Sequence, residues 1–357
     1  VSTTSTPENS AATNSAAEVV VRLRDIGKTF PGVIANHDVN IDVRKGTVHA
    51  IVGENGAGKS TLMKILYGVQ KPDSGTIEID GEQVSLSSPS DAIAHGVGMV
   101  FQHFMLADNL TVLENVVLGA EKLHGIGEQA RGRIRELSAQ YGLNVDPDVL
   151  VEHLGVGARQ RIEILKVLYR GARIIILDEP TAVLVPQEVD ELFDNLRELK
   201  AEGLAVIFIS HKLDEVLSVA DEVTVIRRGA TVTTIAGGSV TARELAELMV
   251  GSELPNPSTE VSTVTDREVL EVIDLSLQSA GGGRPLLDHI SFRIRAGEIL
   301  GIAGVEGNGQ AELVEAIMGM RPEATGQVEL NDKSIGDWST RERRESGIGF
   351  IPEDRHR

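Results

Sequence analysis

The run Gly53-Glu54-Asn55-Gly56-Ala57-Gly58-Lys59-Ser60-Thr61 sets glycines, one lysine and two hydroxyls at the spacing of a loop built to hold phosphate. Its glycines let backbone N–H groups wrap phosphate oxygens, Lys59 reaches the β- and γ-oxygens, and the Ser60 hydroxyl is a ligand for Mg²⁺. A second element, "RIIILDEP", ends an apolar run in Asp178 and Glu179. The first carboxylate would orient Mg²⁺, and the second would activate an attacking water. Gln102 follows "GVGMVF" and His211 follows "AVIFIS", so both stand at strand ends, within reach of a γ-phosphate or its metal. The chemistry these residues could do is hydrolysis of a nucleoside triphosphate, with Lys59, Gln102, Glu179 and His211 as the catalytic candidates and Ser60, Gln102 and Asp178 as the metal candidates.

The elements that must position them alternate. The strand-like "VHAIV" precedes the loop and the helix-like "TLMKILYG" follows it. Further β-rich runs, "VVVRLRD", "VGMVF", "RIIILD", "AVIFIS" and "EVTVIR", alternate in part with helical patterns such as "PQEVDELFDNLRELKAEG". The pattern predicts an α/β fold, and continuous apolar strands like "RIIILD" suit a parallel sheet covered on both faces. Residues 103 to 170 are mostly helix-like and predict a helical subdomain.

A second loop, "GVEGNGQAEL" at 304 to 313, keeps the glycines and lacks the chemistry: Gln310 and Ala311 stand where lysine and serine are needed. Gly46, Gly53, Gly58, Gly68, Gly75 and Gly96 recur as Gly297, Gly304, Gly309, Gly319, Gly326 and Gly347, each at an offset of 251 without a gap. A constant offset through loop, helix and turn implies a tandem duplication of one P-loop fold. The expected layout is a disordered tail at 1 to 18, a first domain at 19 to 250, a Pro/Ser/Thr-rich linker at 251 to 267, and a truncated, degenerate second copy at 268 to 357. Glu353 falls where copy one has Gln102.

With 53 acidic and 34 basic residues the chain carries a formal charge of -19, which argues against a nucleic-acid partner. It contains no Cys, so disulfides and thiolate zinc sites are excluded and no metal besides Mg²⁺ is expected. The longest apolar runs are strand-sized, far short of the roughly 20 residues of a membrane helix. The Ser/Thr/Ala/Asn-rich start lacks the plan of a signal peptide, so a cytoplasmic chain is expected.

These residues resemble the ATP-binding cassette of ABC transporters, over essentially everything from residue 19 onward. The resemblance implies ATP as the nucleotide, with Phe30 stacking on adenine, Gln102 as the Q-loop glutamine, Asp178 and Glu179 as the Walker B pair and His211 as the switch histidine. "HLGVGARQ" stands where the family has its L-S-G-G-Q signature: Leu154, Val156 and Gly157 fit, Gly155 replaces the serine, and Ala158 precedes Arg159-Gln160. "TAVLV" lacks the usual D-loop aspartate. In this family ATP is sandwiched between the P-loop of one cassette and the signature of the other, so the broken loop of copy two would face the weakened signature of copy one.

Tandem cassettes with a degenerate second P-loop resemble the ATPases of bacterial carbohydrate and nucleoside importers. "GENGAGKSTLMKILYG", "QHFMLADNLTVLENVVLG" and "LDEPTAVLVPQE" are similar to the nucleoside, basic membrane lipoprotein branch. That implies integral-membrane permease partners, indirect coupling to an extracytoplasmic solute-binding protein or lipoprotein, and a peripheral place on the cytoplasmic face of the plasma membrane. The alternative is a soluble tandem-cassette ATPase acting on ribosomes or DNA. Gln310, the acidic-to-neutral linker and the lack of Cys oppose it.

Overall fold

The computed structural model describes residues 18–253, 262–279, 281–305 and 307–352. Most of the expected tail, the centre of the expected linker and Glu353 lie outside the described residues. The chain divides into two compact units, Val1–Pro255 and Asn256–Arg357.

In the first unit, β1 (Val19–Phe30) and β2 (Val33–Arg44) form a long antiparallel pair. Then come β3 (Val48–Val52), α1 (Lys59–Leu66), β4 (Ser74–Ile79), β5 (Glu82–Val84), α2 (Pro89–Ala94) and β6 (Val97–Val100). Helices α3 (Val112–Val117), α4 (Glu121–His124), α5 (Glu128–Gln140) and α6 (Val156–Tyr169) fill the stretch predicted to be helical. β7 (Ile174–Asp178), α7 (Pro186–Ala201), β8 (Ala205–Ile209), α8 (Leu213–Val219), β9 (Glu222–Arg227), β10 (Ala230–Ala236) and α9 (Ala242–Val250) complete it.

The strands make two sheets, β2-β1-β4-β5 and β10-β9-β3-β8-β7-β6. In the larger sheet the pairs β9/β3, β3/β8, β8/β7 and β7/β6 are parallel. Every residue of β3, β6, β7 and β8 is buried, which is why their sequences read as apolar runs and do not alternate. Because side chains alternate across a strand, each of these strands feeds two cores. On β8, Val206 and Phe208 join the helices α3, α5 and α6, whereas Ala205, Ile207 and Ile209 pack with Leu62, Met63 and Ile65 of α1 beneath the smaller sheet. The helical stretch thus shares one continuous core with a face of the sheet. Thr111 and Glu114 start α3 with a reciprocal capping box.

The second unit holds β11 (Glu268–Leu277), β12 (Leu287–Arg295), α10 (Gln310–Ile317), β13 (Thr325–Leu330), β14 (Lys333–Ser334) and α11 (Thr340–Glu345), with sheet order β12-β11-β13-β14. This reproduces the order β2-β1-β4-β5 of the first unit. Its core gathers Val272, Leu275, Leu313, Ile317 and Val328. Residues 299–303, which match β3 by the offset, form no strand here, and Ile299 is 97 % exposed. In the first unit β3 is held by β8 and β9 on its two sides; among the described residues of the second unit no such partners occur.

Candidate phosphate loop and its catalytic surround

Four candidate groups follow the carboxyl ends of four adjacent parallel strands: Gly53 after β3, His211 after β8, Asp178 and Glu179 at the end of β7, and Gln102 after β6. Ligands of open parallel sheets bind along that edge. The topology therefore brings together residues 53 to 211 that the sequence spreads over most of the unit.

The loop itself connects β3 to α1. Gly58 is the N-cap of α1 with φ 98°, in the left-handed region that L side chains avoid, and no side chain caps the helix start. Gly53 is required for a different reason, since a Cβ there would collide with the carbonyl oxygen of Ile226. No acidic residue occupies the first turn of α1, so its free N–H groups and positive dipole end are left for an anion.

Lys59 is 6 % exposed, and its Nζ donates to the carbonyl oxygens of Gly53 at 2.8 Å and Glu54 at 3.0 Å. Burial pulls the pKa of this ammonium below its ordinary value, against the opposing pull of the Glu179 and Asp178 charges. Ser60 Oγ donates to Asp178 Oδ1 at 3.4 Å. Burial pushes the Asp178 carboxyl above the usual range, and the neighbouring Glu179 charge adds to the effect. Glu179 is the hub of the cluster: its Oε2 accepts from Gln102 Nε2 at 3.4 Å, and its Oε1 lies 3.4 Å from His211 Nδ1. Its φ of 49° is uncommon for a non-glycine residue, and its N–H is anchored to the Ile209 carbonyl at 3.0 Å.

An open cleft of about 510 Å³ lies over the loop, lined by Phe30, Asn55, Gly56, Ala57, Gly58, Lys59, Ser60, Thr61 and Glu179. Gly53, Glu54, Gln102, Asp178 and His211 are not in that lining; they are tied to it through Lys59, Ser60 and Glu179. Val33 also lines the cleft beside Phe30 and is exposed. Sequence reasoning missed it, although an apolar side chain one turn after Phe30 is a signal for a hydrophobic wall.

Leu154, Gly155, Val156 and Gly157, expected to be the signature, do not line the cleft. Gly155 is the N-cap of α6, and Gly157 N–H donates to Glu188 Oε1 at 2.9 Å. The other oxygen of Glu188 accepts from Val185 N–H at 3.2 Å, capping α7.

The broken loop of the second unit keeps the backbone of the intact one. Gly307 and Gly309 have φ of 84° and 98°, against 82° and 98° for Gly56 and Gly58. Gln310 Nε2 donates to the Val305 carbonyl at 3.1 Å, at the position where Lys59 donates to Glu54. Glutamine preserves one of the lysine's two hydrogen bonds within the loop and gives up the charge.

Comparison with known proteins bears on family and fold. The sequence profile of the family described as "ABC transporter" matches residues 36–182 and 287–357. The chain is 46 % identical over 345 residues to the nucleoside import ATP-binding protein NupA of Lactococcus lactis, covering 96 % of this chain and 68 % of that protein. It is 45 % identical to the guanosine import ATP-binding protein NupO of Bacillus subtilis, covering 95 % of this chain and 67 % of that one. A ribose import ATP-binding protein of Rubrobacter xylanophilus is 44 % identical, over 95 % of this chain and 68 % of that protein. Among solved structures, an ATP-binding cassette of an ABC transporter in its ADP conformation superposes with a TM-score of 0.58 at 26 % identity, covering 66 % of this chain and 96 % of that one. By profile, identity and fold alike, this chain belongs to the ABC transporter family as an ATP-binding cassette ATPase.

Proposed function

We propose that the chain is the ATP-hydrolysing subunit of an importer for nucleosides or sugars, working through integral-membrane permease subunits at the cytoplasmic face of the plasma membrane. A solute-binding protein or lipoprotein outside the membrane would deliver the cargo, which never touches this chain. The observation that carries the ATPase site is the convergence of Gln102, Asp178, Glu179 and His211 on the Lys59-Ser60 loop. The nucleoside, guanosine and ribose import relatives support the cargo class. The domain reading that goes with it is a working cassette at 19–250, a linker at 251–267 and part of a degenerate cassette at 268–357.

In this reading Phe30 and Val33 hold the base while the loop amides from Gly53 to Thr61 and the Lys59 ammonium hold the phosphates. Lys59 sits in a buried setting where its charge is poorly screened, so it acts most strongly on the charge that builds up during phosphoryl transfer. Glu179 takes the proton from the attacking water, His211 orients that carboxylate from Oε1, and Gln102 orients it from Oε2. Ser60, Asp178 and Gln102 suit Mg²⁺, which is held in such sites by one or two carboxylates together with waters and substrate phosphates. When bound it neutralises charge between the phosphate oxygens. The signature of this copy, Leu154 to Gly157, would serve the degenerate site and not this one.

The test is phosphate release by the protein with its permease in lipid vesicles, with each candidate nucleoside or pentose supplied on the opposite side. Turnover stimulated by a nucleoside or sugar is expected. Stimulation by ribosomes or DNA, and none by any solute, would overturn the import reading.

A further inference from the structure

Asn36, on β2, lies behind the phosphate loop and takes no part in the chemistry above. It is 1 % exposed, and its Nδ2 donates to the Gly58 carbonyl oxygen at 3.2 Å. The same oxygen accepts the first intrahelical bond of α1, from Leu62 N–H at 3.0 Å. The approach is close: a Cβ on Gly58 would stand 2.5 Å from Asn36 Nδ2. Only the NH₂ end of an amide can face a carbonyl, so the contact fixes how the side chain points, and it leaves Oδ1 buried without a hydrogen-bond partner. An unpaired buried oxygen costs stability that an apolar residue of similar shape would not.

The second unit makes the contrast. At the matching position stands Leu287, buried, with Cδ2 against the counterpart glycine, Gly309. The copy that lacks the phosphate-binding lysine and serine also lacks the amide.

We infer that Asn36 is a positioning residue for nucleotide binding, gripping the N-cap carbonyl of α1 and thereby aiming the loop's amides. A trans peptide is planar, with its C=O and the following N–H pointing opposite ways. A hold on Gly58 O from behind therefore directs Lys59 N–H to the front. The neighbouring peptide is held in the same manner, by Gly229 N–H on Ala57 O at 3.1 Å, and Gly229 O is fixed by His37 N–H at 2.8 Å. The inference rests on the phosphate-loop reading, and it states a trade: stability is given up at Oδ1 to hold the loop ready.

The experiment titrates the 357-residue chain with a fluorescent nucleotide, mant-ATP, and separately records its thermal midpoint without nucleotide. Asn36→Leu is expected to weaken mant-ATP binding about tenfold, the scale of one net hydrogen bond, with a midpoint unchanged or higher. Leu287 in the second unit indicates that the backbone tolerates leucine here. Asn36→Ser, too short to reach Gly58 O, should weaken binding to a similar degree and decides the matter should the leucine variant not fold. Unchanged affinity in these variants overturns the inference, as does an affinity loss that only tracks a lowered midpoint, since a purely structural asparagine behaves that way. Failure of the unmodified chain to bind mant-ATP overturns the phosphate-loop reading and this inference with it; binding by the parent with equal binding by Asn36→Leu sinks the inference alone.

Discussion

Lys59 and Gln310 make the same hydrogen bond in the two copies, to the carbonyl oxygens of Glu54 at 3.0 Å and Val305 at 3.1 Å. The cradle therefore survives the loss of the cation, because what holds the loop's shape is the bond and not the charge.

That equivalence predicts an asymmetry. Lys59→Ala removes a charge worth on the order of 4 kcal/mol of gross attraction at about 4 Å and an effective dielectric of 20, so mant-ATP affinity should fall by about tenfold or more. Gln310→Ala should change it less than about twofold. Equal losses in both titrations would mean that both loops carry nucleotide.

Asp178→Asn separates stability from function. Burial, and then the neighbouring Glu179 charge, disfavour the charged form of this carboxyl, which is 8 % exposed. The amide should therefore raise the nucleotide-free midpoint by about 2–4 °C per kcal/mol recovered, while the Mg²⁺ dependence of ATP turnover shifts to higher concentration. A lower midpoint with an unaltered Mg²⁺ titration would remove Asp178 from the metal site.

Glu179→Gln keeps the shape of the hub and removes the base. Nucleotide binding should persist while phosphate release slows by about 10² or more, the usual scale for general-base removal. Near-normal turnover would assign the proton to another group.

A pH effect is expected away from the nucleotide. Glu222, at the start of β9, has its pKa held below the ordinary 4.5 of a glutamate, chiefly by buried His49, whose Nδ1 lies 3.4 Å from the carboxylate, and also by Arg44. Below that ordinary value the unfolded chain binds the proton more readily than the folded one. The stabilisation is thus present above 4.5 and lost as the pH falls through the lower folded value. Glu222→Gln should flatten this acid limb in midpoint-against-pH curves and leave neutral turnover within about twofold. An identical acid limb in the two proteins would deny the ion pair its part.

The parallel strands could be read because they are buried on both faces. "VHAIV" and "EVTVIR" match β3 and β9 residue for residue. The smaller sheet was less legible. β2 does carry the alternation Val39, Ile41, Val43, but Asn and Asp between them read as turn chemistry, and β5 is only three residues long. Candidate site residues with a chemical signature, Lys59, Asp178 and Glu179, announced themselves by type and spacing. Asn36 did not, since nothing along the chain reveals that β2 runs behind the loop. That proximity is a product of sheet order, which pairs strands distant in sequence.

The Glu188 carboxylate on Gly157 N–H bears on the start of α6. A helix start attracts phosphate because its amides are unspoken for. Here one amide is already claimed by a resident anion, which also caps α7. A phosphate seeking that amide would have to displace a side chain of its own sign and uncap a second helix in doing so. The α6 terminus behaves as a lock with the key left inside.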